Sequence, residues 1–396
     1  MKSAIVPCIL GVMASASPVL AQNVTDPAET ARFRLGVLAL TPRLGIRDLG
    51  VDTNIFNLAA EPRRDTTATF TAGADTWLRV GRAYLSGRTT SDWHYFKRAS
   101  DQRSINVTQE GRLDLDLLRI VPRVGGAFIN TRQRPNEEFD LRVQQRNAVA
   151  FGGVMVPIGT RTRVDFELRQ QRYDYSAGKF GDTAVASALN RKSRLATVEA
   201  GVNVTPLTRA VLKTDWREDS FTYESSRDSH SVRVMPGVEM QPFALVSGKA
   251  FAGYRRFTTQ SAAVPDVSGV VAAVELKYVA ADVFRITGQL NRDLDYSLDL
   301  DESVYVSTSM GVEAVKAVGL YWDLVGRARR AALAYQEVGP VAGRTDRLWL
   351  VGGGLGRRLG SELRVGLDID YVKRGSIRTD RTFDGLRFGT SVTYGY

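Results

Sequence analysis

The residue types that most often carry out catalysis are scarce in this chain. His94 and His230 are its only histidines, and Ser231 follows His230 directly. A histidine beside a serine could activate a nucleophile, but the local sequence Asp228-Ser229-His230-Ser231 matches no nucleophile–base motif. Two histidines are also too few ligands for a zinc site. We therefore expect no enzyme activity and no metal.

A glycine run, Gly352-Gly353-Gly354-Leu355-Gly356, resembles a phosphate-binding loop only in its composition. A P-loop needs a lysine that reaches the phosphates and a helix that follows, and neither pattern is present here. Glycines inside a strand more often allow a bend or a close approach of neighbouring groups. We therefore expect no cofactor.

The N-terminus has the three parts of a secretory signal peptide. Met1-Lys2 is positive, the segment from Ala4 to Met13 is apolar, and Val19-Leu20-Ala21 supplies small residues for cleavage. Residues 1–21 are the predicted leader. Cys8 is the only cysteine and lies inside it, so the mature chain could form no disulfide. The net charge is +10, but the basic residues are spread along an exported chain, so we expect no nucleic-acid partner.

The mature chain alternates between apolar and polar residues with a period of two. The alternation is clearest at 112–117, 163–169, 196–204, 284–291 and 363–371. A strand with one apolar face and one polar face produces this pattern, whereas a helix would spread the apolar residues around its circumference. The sequence therefore predicts amphipathic strands.

Polar breaks divide these strands at a regular spacing, roughly 40 residues for each pair of strands. The long breaks fall at 57–66, 97–103, 133–142, 174–193, 223–230, 257–267, 293–302, 335–344 and 373–381. The short breaks fall near residues 80, 120, 158, 206, 241, 281, 318 and 360. They separate eighteen strands, and long loops that alternate with short turns are typical of a transmembrane antiparallel outer-membrane β-barrel. A β-propeller would need a turn about every ten residues.

Aromatic residues recur where strands enter the long breaks. They are Trp93, Tyr95, Tyr173, Tyr175, Phe221, Tyr223, Tyr254, Phe257, Tyr296, Tyr335 and Tyr371. Rings with an apolar body and a polar tip favour the lipid–water boundary, so this pattern predicts an outward aromatic girdle. Phe388, Val392, Tyr394 and Tyr396 share one alternating phase, which resembles the C-terminal strand signal of bacterial outer-membrane proteins.

Charged residues occupy the polar phase of several predicted strands and are candidates to line a pore. They are Arg163, Asp165, Glu167, Arg169, Glu199, Asp215, Arg217, Arg285, Arg364, Asp368 and Asp370. Arginine binds carboxylate and phosphate with two parallel hydrogen bonds, so one hypothesis is a lumen that prefers anionic solutes or acidic polysaccharide. The alternative is that these charges pair with each other across the wall. Arginines on the outer surface could also bind lipopolysaccharide phosphates.

Asp52-Thr53-Asn54-Ile55-Phe56 precedes the first long break. This segment resembles the opening motif of a family of β-barrel porins often encoded beside capsule and exopolysaccharide genes, and the length and terminal aromatic strand match as well. The resemblance implies a porin-like channel with a role in capsule or exopolysaccharide export, through gene neighbourhood alone. It supplies no catalytic residues. A structural or adhesive barrel with a blocked lumen is the alternative.

The predicted organisation is a signal peptide (1–21), an N-terminal periplasmic or plug segment (22–42) and the barrel (43–396). The expected location is the outer membrane of a Gram-negative bacterium. The expected partners are outer-membrane lipid and lipopolysaccharide, the barrel assembly machinery and polysaccharide export proteins.

Overall fold

The computed structural model describes residues 31–394, except 139, 177, 181–182, 242–244, 262–265, 282, 298–303, 336–342 and 361. The predicted leader and residues 22–30 lie outside the described residues, as does Tyr396. No helix in the described ranges is long and apolar enough to cross a membrane.

Eighteen long strands form the wall of the structure. They are Leu38–Asp52 (β1), Asp65–Val80 (β2), Ala83–Phe96 (β3), Ser104–Leu115 (β4), Val121–Gln133 (β5), Val143–Ile158 (β6), Thr162–Tyr175 (β7), Arg191–Thr205 (β8), Thr208–Phe221 (β9), Ser229–Met240 (β10), Val246–Thr259 (β11), Val267–Ala280 (β12), Phe284–Tyr296 (β13), Val304–Val318 (β14), Trp322–Tyr335 (β15), Thr345–Leu359 (β16), Leu363–Gly375 (β17) and Phe383–Tyr394 (β18).

Each strand pairs antiparallel with the next one along the chain, and β1 pairs with β18. The closing register runs from Leu44 opposite Tyr394 to Asp52 opposite Arg387. The result is a closed antiparallel β-barrel without a free sheet edge, which confirms the predicted fold.

The connections alternate between short and long. Short turns join β2 to β3, β4 to β5 and so on to β16 and β17. We call the end of the barrel that carries them the turn end. Gly81 and Gly319 lie in such turns with φ of 58° and 64°, a conformation that a residue without a Cβ adopts at little cost. The long connections lie at the opposite end of the barrel, which we call the loop end. They occur at the positions that the sequence predicts.

The two faces of each strand differ as the alternation predicts. On β17, Val365, Leu367 and Ile369 are exposed on the outside, whereas Arg364 and Asp368 on the other phase are half-buried inside. Phe388 and Val392 of β18 likewise lie on the outer face. Exposed aliphatic residues outside and charged residues inside are the arrangement of a barrel whose outer solvent is lipid.

The first strand begins at Leu38, five residues before the predicted start of the barrel. Pro42 lies within this strand although proline cannot donate a hydrogen bond to a sheet. In the structure Pro42 pairs with Ala74 of β2, and the register with β18 begins only at Leu44. A short strand, Phe33–Leu35, folds back onto the start of β1.

The largest apolar core lies inside the barrel at the loop end. The loop between β7 and β8 contains the short strands Lys179–Phe180 and Thr183–Ala184 and one helical turn, Val185–Leu189 (α1). The buried core members are Val143, Tyr175, Val185, Ala188, Leu189, Phe221, Phe257, Tyr296 and Val304. The predicted aromatic girdle is therefore only partly correct. Trp93, Tyr95, Tyr223, Tyr254 and Tyr371 are exposed. The other six do not face lipid: Tyr173, Tyr175, Phe221, Phe257 and Tyr296 belong to or pack against the core around α1, and Tyr335 is buried beside Tyr305.

Candidate functional site: the charged interior and its loop-filled mouth

Ion pairs that span an intervening strand identify the inner face of the wall. Arg123 on β5 donates to Asp165 on β7, with an Nη1–Oδ2 distance of 2.6 Å. Side chains on the concave face of a closed sheet converge and can meet over the strand between them, whereas those on the convex face diverge. Arg123 and Asp165 therefore point into the lumen.

The predicted residues of β7 and β8 form one such network. Glu167 pairs with Arg169 at 2.7 Å and with Arg123 at 3.2 Å. Arg163 lies 3.8 Å from Glu199. Besides Arg123, two residues outside the predicted set belong to this network. Arg209 of β9 and Glu239 of β10 pair with each other at 3.3 Å, and Arg209 also contacts Glu199 while Glu239 contacts Arg163.

Asp215 and Arg217 of β9 belong to a second network. Asp215 accepts a hydrogen bond from Arg233 Nε at 2.9 Å, and Arg233 also pairs with Asp293 of β13 at 2.8 Å. Arg217 pairs with the buried Asp219 at 2.8 Å. Arg285 lies on the same inner phase of β13, near the turn end and opposite Val315 of β14.

The third network bridges β15 and β17 over β16. Arg327 pairs with Asp370 at 2.6 Å and with Asp368 at 3.2 Å, and Arg364 pairs with Asp323 at 2.6 Å. Strand β16 lies between β15 and β17, and its inward-facing residues at this point are glycines of the run Gly352–Gly356. A Cβ on Gly352, Gly354 or Gly356 would lie within 2.4 Å of an Asp370, Asp368 or Arg364 side-chain atom. The glycines therefore leave the space that these ion pairs occupy.

The loop between β5 and β6, residues 134–142, crosses the mouth of the barrel. Glu137 forms an ion pair with Arg329 of β15, which is the strand diametrically opposite β6 in a ring of eighteen. Asp140 pairs with Arg374 of β17 at 2.6 Å. Glu138 is buried and accepts a hydrogen bond from Ser297, which follows β13, at 2.6 Å. The loop is therefore fastened to the far wall.

Arginine side chains hold the loops of the mouth to one another. Arg134 donates to the carbonyl of Ile55 at 2.8 Å, and Arg227 donates to the carbonyl of Ala188 in α1 at 2.8 Å. Burial lowers the pKa of Arg134 to about 9 and that of Arg227 to about 10, so both guanidinium groups stay charged at neutral pH. A charged donor strengthens a hydrogen bond to a carbonyl.

The opening motif, Asp52 to Phe56, fastens the barrel seam and reaches the crossing loop. Asn54 is 2% exposed and donates through Nδ2 to the carbonyls of Leu58 and Asp384, at 2.9 Å and 3.0 Å. Its Oδ1 accepts from the Leu58 N–H. Thr53 exchanges hydrogen bonds with the backbone of Leu386. The motif thus joins the end of β1 to β18, while the carbonyl of Ile55 anchors Arg134 of the crossing loop.

A sequence profile of the family described as "putative beta-barrel porin 2" matches residues 26–396. The chain belongs to this family. The resemblance inferred from the opening motif is therefore confirmed. A search of curated proteins found no match.

Three solved structures are similar to this porin family member. A BenF-like porin from Pseudomonas fluorescens Pf-5 matches with 11% identity and a TM-score of 0.49, over 90% of this chain and 98% of that one. OpdK, an outer membrane protein from Pseudomonas aeruginosa, matches with 12% identity and a TM-score of 0.47 over the same shares. The siderophore receptor PirA from Pseudomonas aeruginosa matches with 8% identity and a TM-score of 0.44, over 92% and 81%.

Family membership indicates a porin-like barrel of a bacterial outer membrane. The two histidines of this chain face opposite sides of the barrel wall. His94 lies on the inner phase of β3 with its Nδ1 3.1 Å from Thr69 Oγ1, whereas His230 is exposed on the outer phase of β10, opposite Glu218. They cannot share a catalytic site. Within the described residues, no group of three His, Cys, Asp or Glu is arranged to hold a metal ion.

The interior of the barrel contains both signs of charge in close pairs, as in the alternative that the charged residues pair with each other across the wall. The partners of these charges were not predicted from the sequence: Arg123, Arg209, Asp219, Arg233, Glu239, Asp293, Asp323 and Arg327. Their only sequence signal is that they share the polar phase of their strands. Whether any of these groups contacts a solute in an open pore stays a prediction.

Proposed function

We propose that this barrel is a channel for hydrophilic solutes and that loop 134–142 narrows its loop end. The position of that loop carries the proposal, because it is fastened to Arg329 and Arg374 on the opposite wall. An eighteen-stranded barrel encloses more volume than its side chains fill, so an aqueous route is expected beside the loop. The charged, hydrogen-bonding interior suits solutes that carry their own polar groups.

The ion preference of this channel follows from the pairing of its charges. A guanidinium that faces a carboxylate contributes little net field, so the strands that carry these pairs should select weakly between cations and anions. The anion preference suggested by the net charge of +10 would require arginines that are free to meet the solute. A strongly anion-selective current would therefore favour a lumen in which unpaired arginines contact the solute.

Export of capsule or exopolysaccharide is the finer form of the proposed function, and the family resemblance supports it. A polymer would have to pass the crossing loop and α1, so this form requires both to leave the mouth. A blocked structural barrel is the second candidate. The observation that favours it is the packing of α1, where Val185, Ala188 and Leu189 are buried against the inner wall.

Solute uptake by proteoliposomes tests these forms against one another. Folded protein, verified by its heat-modifiable migration on a gel, is reconstituted and osmotic swelling is recorded in monosaccharides, trisaccharides and acidic oligosaccharides. Uptake of small sugars with a sharp size limit supports the narrowed channel. Passage of long acidic chains supports export. No uptake of any solute by the folded barrel supports the blocked barrel and contradicts the channel.

A further inference from the structure

Basic residues form a belt on the outside of the barrel near the loop end. They lie on the outer phase of their strands, opposite in phase to the paired charges of the interior. The members are Arg132, Arg146, Arg172, Lys192, Arg194, Arg256, Arg292, Arg330, Arg347 and Lys373. Much of the positive excess of the chain is thus outside the wall and not in the lumen.

The belt begins where the apolar band of the wall ends. On β7 the outer phase runs through the exposed Phe166 and Leu168 to Gln170 and then Arg172. On the neighbouring β8, Ala196 pairs with Leu168, and the next outer residues are basic. Both strands change from apolar to polar at the same height, because Gln170 stands opposite Arg194. A change at this level corresponds to the boundary between lipid chains and head groups.

The densest part of the belt spans β5 to β8 and is called the basic patch: Arg132, Arg146, Arg172, Lys192 and Arg194. Arg172 and Lys192 stand directly opposite each other in the register of β7 and β8. Like charges in this position destabilise a strand pair unless an anion lies between them.

The carboxylates of this surface neutralise only part of the basic patch. Asp174 pairs with Arg172 at 2.8 Å, and Glu218 lies 3.7 Å from Arg194. Within the described part of the chain, Arg132, Arg146 and Lys192 have no carboxylate within ion-pair distance. Unlike the interior, the basic patch therefore retains cations for an external anion.

We propose that the basic patch binds the phosphate groups of a membrane glycolipid of the lipid A type. Arginine and lysine at head-group height would hold the phosphates. Phe166, Leu168 and Val198, exposed directly below, would contact the acyl chains. This combination favours a phosphorylated lipid over free phosphate, because free phosphate would use only the charged half of the surface.

The test compares two matched double variants of the full mature barrel, folded in detergent. Arg172→Gln/Lys192→Gln removes the facing pair of the basic patch. Lys316→Gln/Arg357→Gln removes two exposed outer-face cations at the turn end and serves as the control. Native mass spectrometry measures binding of bisphosphorylated lipid A, of its dephosphorylated form and of inorganic phosphate.

We expect the wild type and the control to bind bisphosphorylated lipid A equally, and the patch variant to bind it about tenfold or more weakly. Equal binding of lipid A by both double variants would overturn the assignment of the binding site to the basic patch. Equal binding of dephosphorylated lipid A by the wild type would overturn phosphate recognition. Displacement of lipid A by an equal concentration of inorganic phosphate would overturn the assignment to a lipid.

Discussion

The guanidinium of Arg327 on β15 reaches the carboxylate of Asp370 on β17 over the strand between them. The Nε–Oδ1 and Nη2–Oδ2 distances are 2.6 Å and 2.9 Å, a two-point contact. A Cβ on Gly352 of β16 would lie 1.8 Å from Asp370 Oδ1. The ion pair and the glycine therefore depend on each other, since only the missing side chain lets the carboxylate lie against the wall.

Gly352→Ala is expected to destabilise the folded barrel. The new methyl group would displace Asp370 and break its contact with Arg327, at a cost of about 1–3 kcal/mol typical of overpacking. Gly353→Ala is the matched control, because its Cβ points to the outer face and its nearest neighbour is a backbone oxygen at 3.4 Å. Urea unfolding measures both. Equal midpoints for the two variants would contradict the account.

Asn54→Ala is expected to weaken the seam between β1 and β18. It removes the hydrogen bonds that the buried Asn54 donates to the carbonyls of Leu58 and Asp384, and we expect a loss of about 2–4 kcal/mol. The control is Asn203→Ala, since the side chain of Asn203 makes no hydrogen bond within the described residues. The readout is the folded fraction after refolding, and a loss no larger than that of the control would refute the role.

The seam also shows what sequence alone could predict. The resemblance identified Asp52 to Phe56 as a family motif, and the alternation gave the strands, the long loops and the outer phase. The partner of Asn54 could not be predicted, because Asp384 lies at the far end of the chain and becomes a neighbour only when the barrel closes. The same limit applies to Arg123 and Asp165, since a contact over an intervening strand depends on curvature and register.

Loop 134–142 should cross-link to the opposite wall in the native barrel. A protein without residues 1–21 has no cysteine, so pairs of cysteines can be introduced without background. Glu137→Cys/Arg329→Cys is expected to react with a short bis-maleimide, because the native side chains are in contact. Glu137→Cys/Arg357→Cys is the control, with Arg357 on the outer face at the turn end. Equal yields for the two pairs, or no product from either, would contradict the crossing.

The aromatic residues near the loop end illustrate a second limit of the sequence. Tyr175 and Phe221 share the inner phase of β7 and β9 with Arg163 and Asp215, so the alternation itself places them inside. β-propensity and membrane-interface preference explain aromatic residues at strand ends but do not distinguish the two faces. The structure buries them because the loop that carries α1 folds inward and supplies apolar partners. A periodic pattern describes strands but contains no information about the direction in which a loop folds.

Single-channel conductance tests the central claim most directly, which is that loop 134–142 constricts the channel through its contacts with Arg329 and Arg374. The wild type, Arg329→Gln/Arg374→Gln and a control, Arg378→Gln, are recorded in planar bilayers with a salt gradient. Arg378 is the control because it lies in an exposed loop at the same end and pairs locally with Asp380.

We predict small, weakly selective steps for the wild type and the control, and steps at least about twice as large for the double variant, because the narrowest point limits the current. Equal steps for the wild type and the double variant, or silence from both as folded barrels, would contradict the account.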